Sequence, residues 1–245
     1  MTNQSSRINL SIIVPIFNEE EGVEYAIKQI YKDAASNPIK NIIDTFEVIA
    51  VDDGSSDNTY KILQHLKKSY KDFRIIKHHS NEGLGASIIT GVKYSTKSYV
   101  TYLPADGQAF LREIYKGLEL SPVADLVLTY RGARKDYNFY RQMLSSTLMI
   151  CMKIFFNLNF RDYNWVHIYR RDLFKSIKVK SKGVFYLAEI VVRANEKKYK
   201  ILEAQAKYHP RSTGYSKNAR LVIVIKTLMD LYKLWIELKF RFLLK

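Results

Sequence analysis

The chain has 245 residues, 47% hydrophobic and 26% charged, a composition that excludes a disordered protein and allows a sizeable core. Its 39 Lys and Arg against 24 Asp and Glu give a formal net charge of +15, which favours anionic partners: nucleic acid, anionic lipid or phosphorylated substrates. A lone cysteine, Cys151, rules out an internal disulfide, and its apolar helical surroundings suit a buried structural thiol.

Only Arg7 precedes an apolar run broken by Asn9, Ser11 and Pro15, so the N-terminal region reads as a first strand and not as a signal peptide. No stretch approaches the roughly 18 uninterrupted apolar residues of a spanning helix, and a cytoplasmic protein is expected. Residues 8–15 form a near-continuous apolar run, as a strand buried on both faces should. Asn18 is expected to open a helix whose first turn carries Glu19, Glu20 and Glu21. Residues 46–51 make a second strand, after which Ser56 or Asp57 can cap a helix over 60–70. A third strand covers 73–77, and NEGLGA leads into a helix over 87–95. Residues 99–103 are a fourth strand, stopped by Pro104, which lacks a backbone donor and fixes φ.

Strand, acidic turn and helix alternate with the period of parallel pairing and right-handed crossovers, so the first half predicts a doubly wound, mostly parallel α/β sheet. Further on come a helix to about Leu120, a strand over 125–130, the basic loop RGARKDYNFYRQ and an apolar helix over 145–156. A strand over 164–169, a helix over 184–196 and an extended segment over 199–208 follow. The last helix, 221–244, carries Lys226, Asp230, Lys233, Glu237 and Arg241 at steps of three or four, one narrow polar stripe on an otherwise apolar cylinder. That pattern, with Trp235 among it, suits a membrane interface; packing on the rest of the chain or on a second copy is the alternative.

Several residues can carry chemistry. Asp53, beside Asp52 at a strand end, offers acceptor oxygens to the N–H and O–H groups of a base or ribose, whereas helix capping accounts for Asp57. Gly83 and Gly85 make a turn that either approaches a phosphate or packs a helix tightly on the sheet; Ile88 stands where a third glycine would complete the dinucleotide fingerprint. Asp106 and Gln108 present a carboxylate and an amide oxygen past the fourth strand, suited to Mg2+ or Mn2+ held together with substrate phosphates, or to a capped polar turn. Glu189 is either a general base or a structural acid near Arg193. His78, His79 and His209 show no metal-ligand spacing. Nothing beyond charge points to nucleic acid, which is not expected as a partner.

Taken together, VPIFNEEEG, VDDGSSDNT, NEGLGA and the acidic turn resemble the family 2 glycosyltransferases, with their GT-A (Rossmann-like) fold. YRGARKD, RDYN, AEIVVRA and HPRSTGYSK narrow the resemblance to polyprenyl-phosphate sugar synthases of the dolichol-phosphate-mannose type, over roughly residues 8–217. The resemblance implies a catalytic domain over 1–217 and an amphipathic, membrane-interfacial helix over 218–245. It puts Pro15, Asn18, Glu19 and Gly85 at the nucleotide pocket, with Asp53 contacting the base. Asp106 and Gln108 match the second acid and the glutamine of the DADxQ metal motif, whose first acid is here Pro104. Arg131 and Arg141 match positions near the donor and acceptor phosphates, and Arg211 and Lys217 the loop that closes over them. The implied reaction is inverting transfer of a hexose from a nucleoside diphosphate sugar to a polyprenyl phosphate, with Mg2+ or Mn2+, on the cytoplasmic face of a membrane. An acceptor phosphate, with its second pKa of about 6, is already ionised and needs arginine forks instead of a base. A sugar hydroxyl acceptor, which would need Glu189, and a non-catalytic nucleotide-sugar-binding or scaffold role are the alternatives. A homo-oligomer stays open.

Overall fold

β1 (Ile8–Ile16) is apolar at nearly every position because it lies between two other strands and under a helix. In the computed structural model, which describes residues 7–132, 139–209 and 221–240 (without the side chains of Arg141 and Leu221), β1 pairs in parallel with β2 (Ile43–Asp52) and with β4 (Tyr99–Tyr102). β2 pairs in parallel with β3 (Phe73–Lys77). β5 (Leu126–Arg131) pairs in parallel with β7 (Ile201–Ala206), and β6 (His167–Arg170) runs antiparallel between β4 and β5. The seven strands are ordered β3-β2-β1-β4-β6-β5-β7, so the expected mostly parallel sheet is present with one reversed strand.

The connecting helices are α1 (Val23–Ala34), α2 (Ile39–Ile42), α3 (Thr59–Lys67), α4 (Leu84–Tyr94) and α5 (Tyr115–Leu120). They are followed by α6 (Phe139–Phe156), α7 (Leu173–Ser176), α8 (Tyr186–Glu196) and α9 (Leu221–Phe240). α4 lies directly on β1: a Cβ at Gly91 would clash with the Ile13 side chain, so a glycine is required there for the helix to sit at this height. Each strand side chain sealed in this way, such as Ile12, Ile13 or Val48, contributes about 1.5–3 kcal/mol of hydrophobic stabilisation.

Three local expectations are corrected. α1 begins at Val23, not at Asn18, whose φ of 53° puts it in the left-handed region that asparagine tolerates. α6 starts at Phe139, inside the stretch read as a basic loop, because no Gly or Pro interrupts the helical period from there on. Cys151 is half-buried, since α6 touches the core through one face only.

The structure adds the direction of the polar stripe of α9, which periodicity leaves open. The stripe faces the protein: Asp230 Oδ2 accepts a 2.9 Å hydrogen bond from Ser181 Oγ, and Glu237 takes both Arg193 and Lys180. Leu231 and Leu234 are buried beside these acids, and the Trp235 ring meets Phe155 of α6 edge-on. Val222, Ile225, Met229 and Tyr232 are left exposed. α9 is therefore inverted, with acids facing the protein and an apolar stripe facing outward. α6 continues that stripe with Met143, Ile150 and Ile154.

Candidate active site

From β1 the chain moves outward to β2 and β3, then returns to β4 on the other side of β1. Ligands of open α/β sheets bind at the carboxyl ends of strands at such a switch point. Pro15 at the end of β1, Asp53 just past β2, and Pro104 and Asp106 just past β4 all converge on it, and two adjoining cavities open there.

The first cavity, of about 370 Å3, has Pro15, Phe17, Asp53, Asn81 and Gly83 along its sheet side. Asp53 is 3% exposed. Its Oδ1 accepts the Glu82 N–H at 2.9 Å and lies 2.7 Å from His78 Nδ1, while Oδ2 accepts the Gly83 N–H at 2.8 Å. Gly83 has φ 98°, a conformation that turns this N–H onto the carboxylate and that side-chain-bearing residues rarely adopt. His78 Nε2 lies 2.9 Å from Thr90 Oγ1 on α4. Because a carboxylate only accepts, His78 Nδ1 must donate, and the Thr90 hydroxyl can serve Nε2 of the neutral ring. Of the roughly four acceptor positions on a carboxylate, three are occupied and one, on Oδ2, is left for a ligand. His78, read from the sequence as ordinary, thus fixes the key acid of this cavity.

The loops after β1 and β2 are sewn together beside it. Asn18 Oδ1 accepts the Ser56 N–H at 2.9 Å, Thr59 Oγ1 accepts the Glu19 N–H at 3.0 Å, and Glu20 Oε2 accepts the Asn58 N–H at 3.0 Å. The N-cap of α3 is Asn58, which makes no side-chain capping bond, and not Ser56 or Asp57 as expected; Asp57, one residue earlier, takes the Thr59 N–H at 3.0 Å and the Glu20 N–H at 3.2 Å. Asn18 therefore holds the wall in shape and does not line a cavity, whereas Pro15 lines both and Glu19 the second. Gly85 lines neither: its N–H donates to Lys182 O at 3.0 Å, and a Cβ there would meet that backbone at 2.7 Å. Close packing, not phosphate approach, explains this glycine.

The second cavity, of about 410 Å3, has a polar floor of Asp106, Gln108, Arg131 and Asp162. Asp106 Oδ1 accepts the Gln108 N–H at 3.1 Å across Gly107, whose φ is 75°. Gln108 Nε2 donates to Tyr208 Oη at 3.1 Å, which leaves the amide oxygen. Arg131 grips Asp162 with two bonds, Nε to Oδ2 at 2.8 Å and Nη2 to Oδ1 at 3.1 Å, and its guanidinium lies 4.6 Å from the Trp165 ring centroid. Arg131 is thus on the floor as expected, but oriented by an acid. That acid stands in RDYN and was legible only as part of a motif. The walls from α6 and α9 are mostly hydrocarbon: Leu144, Leu148, Met149, Ile223, Val224 and Leu228, with the hydroxyls of Ser145, Thr147 and Thr227 among them.

The backbone of Arg141 lies in the first turn of α6; its side chain, and all of Arg211 and Lys217, lie outside the described residues. Glu189 lines neither cavity. It accepts the Lys180 and Ser181 N–H groups at 3.0 and 2.7 Å and Arg193 Nε at 2.7 Å, so its structural reading is the one with contacts behind it. His79 is exposed, and His209 Nε2 lies 3.0 Å from Glu113 Oε1. Among the described residues no group of three or more His, Cys, Asp or Glu is arranged to hold a metal ion. The donor set at Asp106 and Gln108 fits only a cation that takes most of its ligands from a bound diphosphate and water.

A switch-point crevice with an acid after β2 and another after β4 defines a nucleotide-type α/β site on a GT-A fold. Solved structures share that fold. Glucosyl-3-phosphoglycerate synthase from Mycobacterium tuberculosis, in a complex with Mn2+, UDP and glucosyl-3-phosphoglycerate, superposes with a TM-score of 0.70 at 13% identity, covering 93% of this chain and 80% of that one. Mannosyl-3-phosphoglycerate synthase from Rubrobacter xylanophilus gives 0.73 at 16% identity, over 96% and 74%. The family model for glycosyl transferase family 2 matches residues 11–178, and the chain belongs to that family.

Among curated relatives, the dolichol-phosphate mannosyltransferase of Pyrococcus furiosus is 24% identical over 219 residues, 86% of this chain and 59% of the relative. An undecaprenyl-phosphate 4-deoxy-4-formamido-L-arabinose transferase of Pectobacterium carotovorum is 27% identical over 220 residues, 88% and 64%. The chain thus spans about 60% of the length of these relatives. No helix among its described residues is long and apolar enough to cross a membrane.

Proposed function

We propose that the chain is an inverting glycosyltransferase that moves a hexose from a nucleoside diphosphate sugar to a polyprenyl phosphate. The observation that carries this reading is the second cavity, with a charged floor at the end of β4 and predominantly apolar walls from α6 and α9. A water-soluble acceptor has no use for those walls, whereas an isoprenyl phosphate matches both ends. The nucleoside diphosphate occupies the first cavity with its base toward Asp53, and the hexose bridges to Asp106. An oxygen of the acceptor phosphate attacks the anomeric carbon, the bond from that carbon to the diphosphate oxygen breaks, and the electron pair leaves on the nucleoside diphosphate. Arg131 orients phosphate oxygens from the floor, with Arg141, Arg211 and Lys217 as the further acceptor-side cations that the family resemblance implies. Mg2+ or Mn2+, held by Asp106, Gln108 and the diphosphate, would supply charge for the leaving group. No base is required, in keeping with the occupied carboxylate of Glu189.

Residues 1–217 form the catalytic domain on this reading, and 218–245 the interfacial helix. The outward apolar stripe of α9 and α6 lies on the cytoplasmic face of a bilayer, the surplus of cations attracting anionic lipid. Three acceptors of matched design test the proposal with UDP- and GDP-hexoses: a short-chain polyprenyl phosphate, the corresponding polyprenol, and a hydrophilic phosphomonoester such as a phosphoglycerate. Transfer to the first alone is expected. Transfer to the phosphoglycerate at an equal rate would refute the lipid assignment, transfer to the alcohol would restore a base, and no transfer or donor hydrolysis in any arm would favour the non-catalytic reading that Pro104 suggests.

A further inference from the structure

The roof of the first cavity is not part of the sheet. Besides Pro15, Asp53 and Gly83, the cavity is bordered by one turn of α9, with Lys226, Thr227 and Asp230 lining it. These residues are spaced as one helix face, and the same face is clamped to the domain further along, by Asp230 on Ser181, by Leu231 and Leu234 in the core, and by Glu237 on Arg193 and Lys180. The position of the roof is therefore fixed by contacts independent of any ligand. Asp230 Oδ2 is held by the Ser181 hydroxyl. Lys226 is exposed, and among the described residues no carboxylate is paired with its ammonium group. It is the lysine among the residues lining this cavity, which Asp53 also lines.

We propose that α9 completes the donor pocket and that Lys226 is a binding residue for the phosphates of the nucleoside diphosphate. This rests on the assignment of the first cavity to the donor. The chemistry is a point-charge contact: an ammonium on a flexible stem reaches a phosphate oxygen without needing the planar geometry of an arginine fork. It divides recognition between two elements, Asp53 at the sheet reading the neutral nucleoside and Lys226 at the roof reading the anionic tail.

The test is calorimetric titration of the full chain with UDP, GDP and the matching nucleosides, on wild type, Lys226→Gln and Lys226→Arg, at two salt concentrations. Lys226→Gln should weaken the favoured diphosphate roughly five- to tenfold and leave the nucleoside unchanged, while Lys226→Arg should stay within about twofold of wild type. The salt dependence of diphosphate binding should be shallower in Lys226→Gln. An exposed position makes misfolding of these variants improbable, and unchanged thermal midpoints check it. Equal diphosphate affinity in wild type and Lys226→Gln would overturn the inference while leaving the donor cavity intact. Equal losses for nucleoside and diphosphate would also overturn it, as a steric effect. If wild type bound neither ligand, the donor assignment itself would fall and this inference with it.

Discussion

Replacing Glu189 by glutamine separates two chemistries and can be reasoned quantitatively. The Glu189 carboxylate is 3% exposed and accepts three hydrogen bonds, two from the backbone at Lys180 and Ser181 and one from Arg193 Nε. Glutamine keeps one oxygen, but its NH2 group must face a donor, so at least one charge-assisted bond becomes a donor–donor contact. Losing such a bond costs about 1.5–3 kcal/mol. Glu237 remains to compensate Arg193, which keeps the loss below the roughly 3–5 kcal/mol of a fully broken buried pair. At about 2–4 °C per kcal/mol for a chain of this size, Glu189→Gln should lower the thermal midpoint by roughly 3–12 °C. Transfer to polyprenyl phosphate, measured well below both midpoints and normalised to folded protein, should stay within about threefold of wild type. A general base contributes roughly 10²–10⁴-fold. An unchanged midpoint with transfer reduced a hundredfold or more would refute the structural reading and restore a hydroxyl acceptor.

Further outcomes follow from the same geometry. His78→Asn retains an N–H in place of Nδ1 and His78→Phe does not, so diphosphate binding should fall about tenfold in the Phe variant and under threefold in the Asn variant; equal losses would make His78 a packing residue only. Pro104→Asp should tighten Mn2+ binding in the presence of UDP, read by electron paramagnetic resonance, and steepen the loss of transfer in EDTA; unchanged Mn2+ affinity would separate position 104 from the metal. Burial alone would raise the Glu237 pKa, but its bonds to Arg193 and Lys180 outweigh this and hold it below the ordinary carboxylate range. Its contribution is therefore full above about pH 4.3, the unfolded value, and is lost as pH falls through the lowered folded one. Trp235 fluorescence should accordingly report loosening of α9 in acid, with a weaker pH dependence in Glu237→Gln. Polar substitution of Ile225, Met229 and Tyr232 together should abolish flotation with anionic vesicles at an unchanged thermal midpoint, because these side chains are already exposed.

The alternation of apolar runs and acidic turns made the parallel half of the sheet legible, because a strand buried on both faces and a crossover helix leave distinct periods. The placement of Asp53, Asp106 and Gln108 at the carboxyl edge followed from that order alone. The residues that orient them did not. His78 is 25 residues from Asp53 and Asp162 is 31 from Arg131 in sequence, and only the sheet brings them together. Gly85 could be read two ways because a glycine records the need for space without naming what fills it; Lys182 does. The polar stripe of α9 was visible, but its direction was not, since periodicity gives the angle between two faces and not which one meets the protein.

The inverted polarity of α9 has a consequence for how the protein can change. In an ordinary surface helix the apolar side secures the fold and the polar side meets the environment, so attachment to a new partner costs stability. Here the fold is secured by Asp230, Glu237, Leu231 and Leu234 on one side, and the environment is met by Val222, Ile225, Met229 and Tyr232 on the other. On the proposed membrane-facing reading, substitutions on the outer side would tune attachment to the bilayer without touching the residues that hold the protein folded or the lysine that lines the cavity. Attachment and architecture would then be written on separate sides of twenty residues.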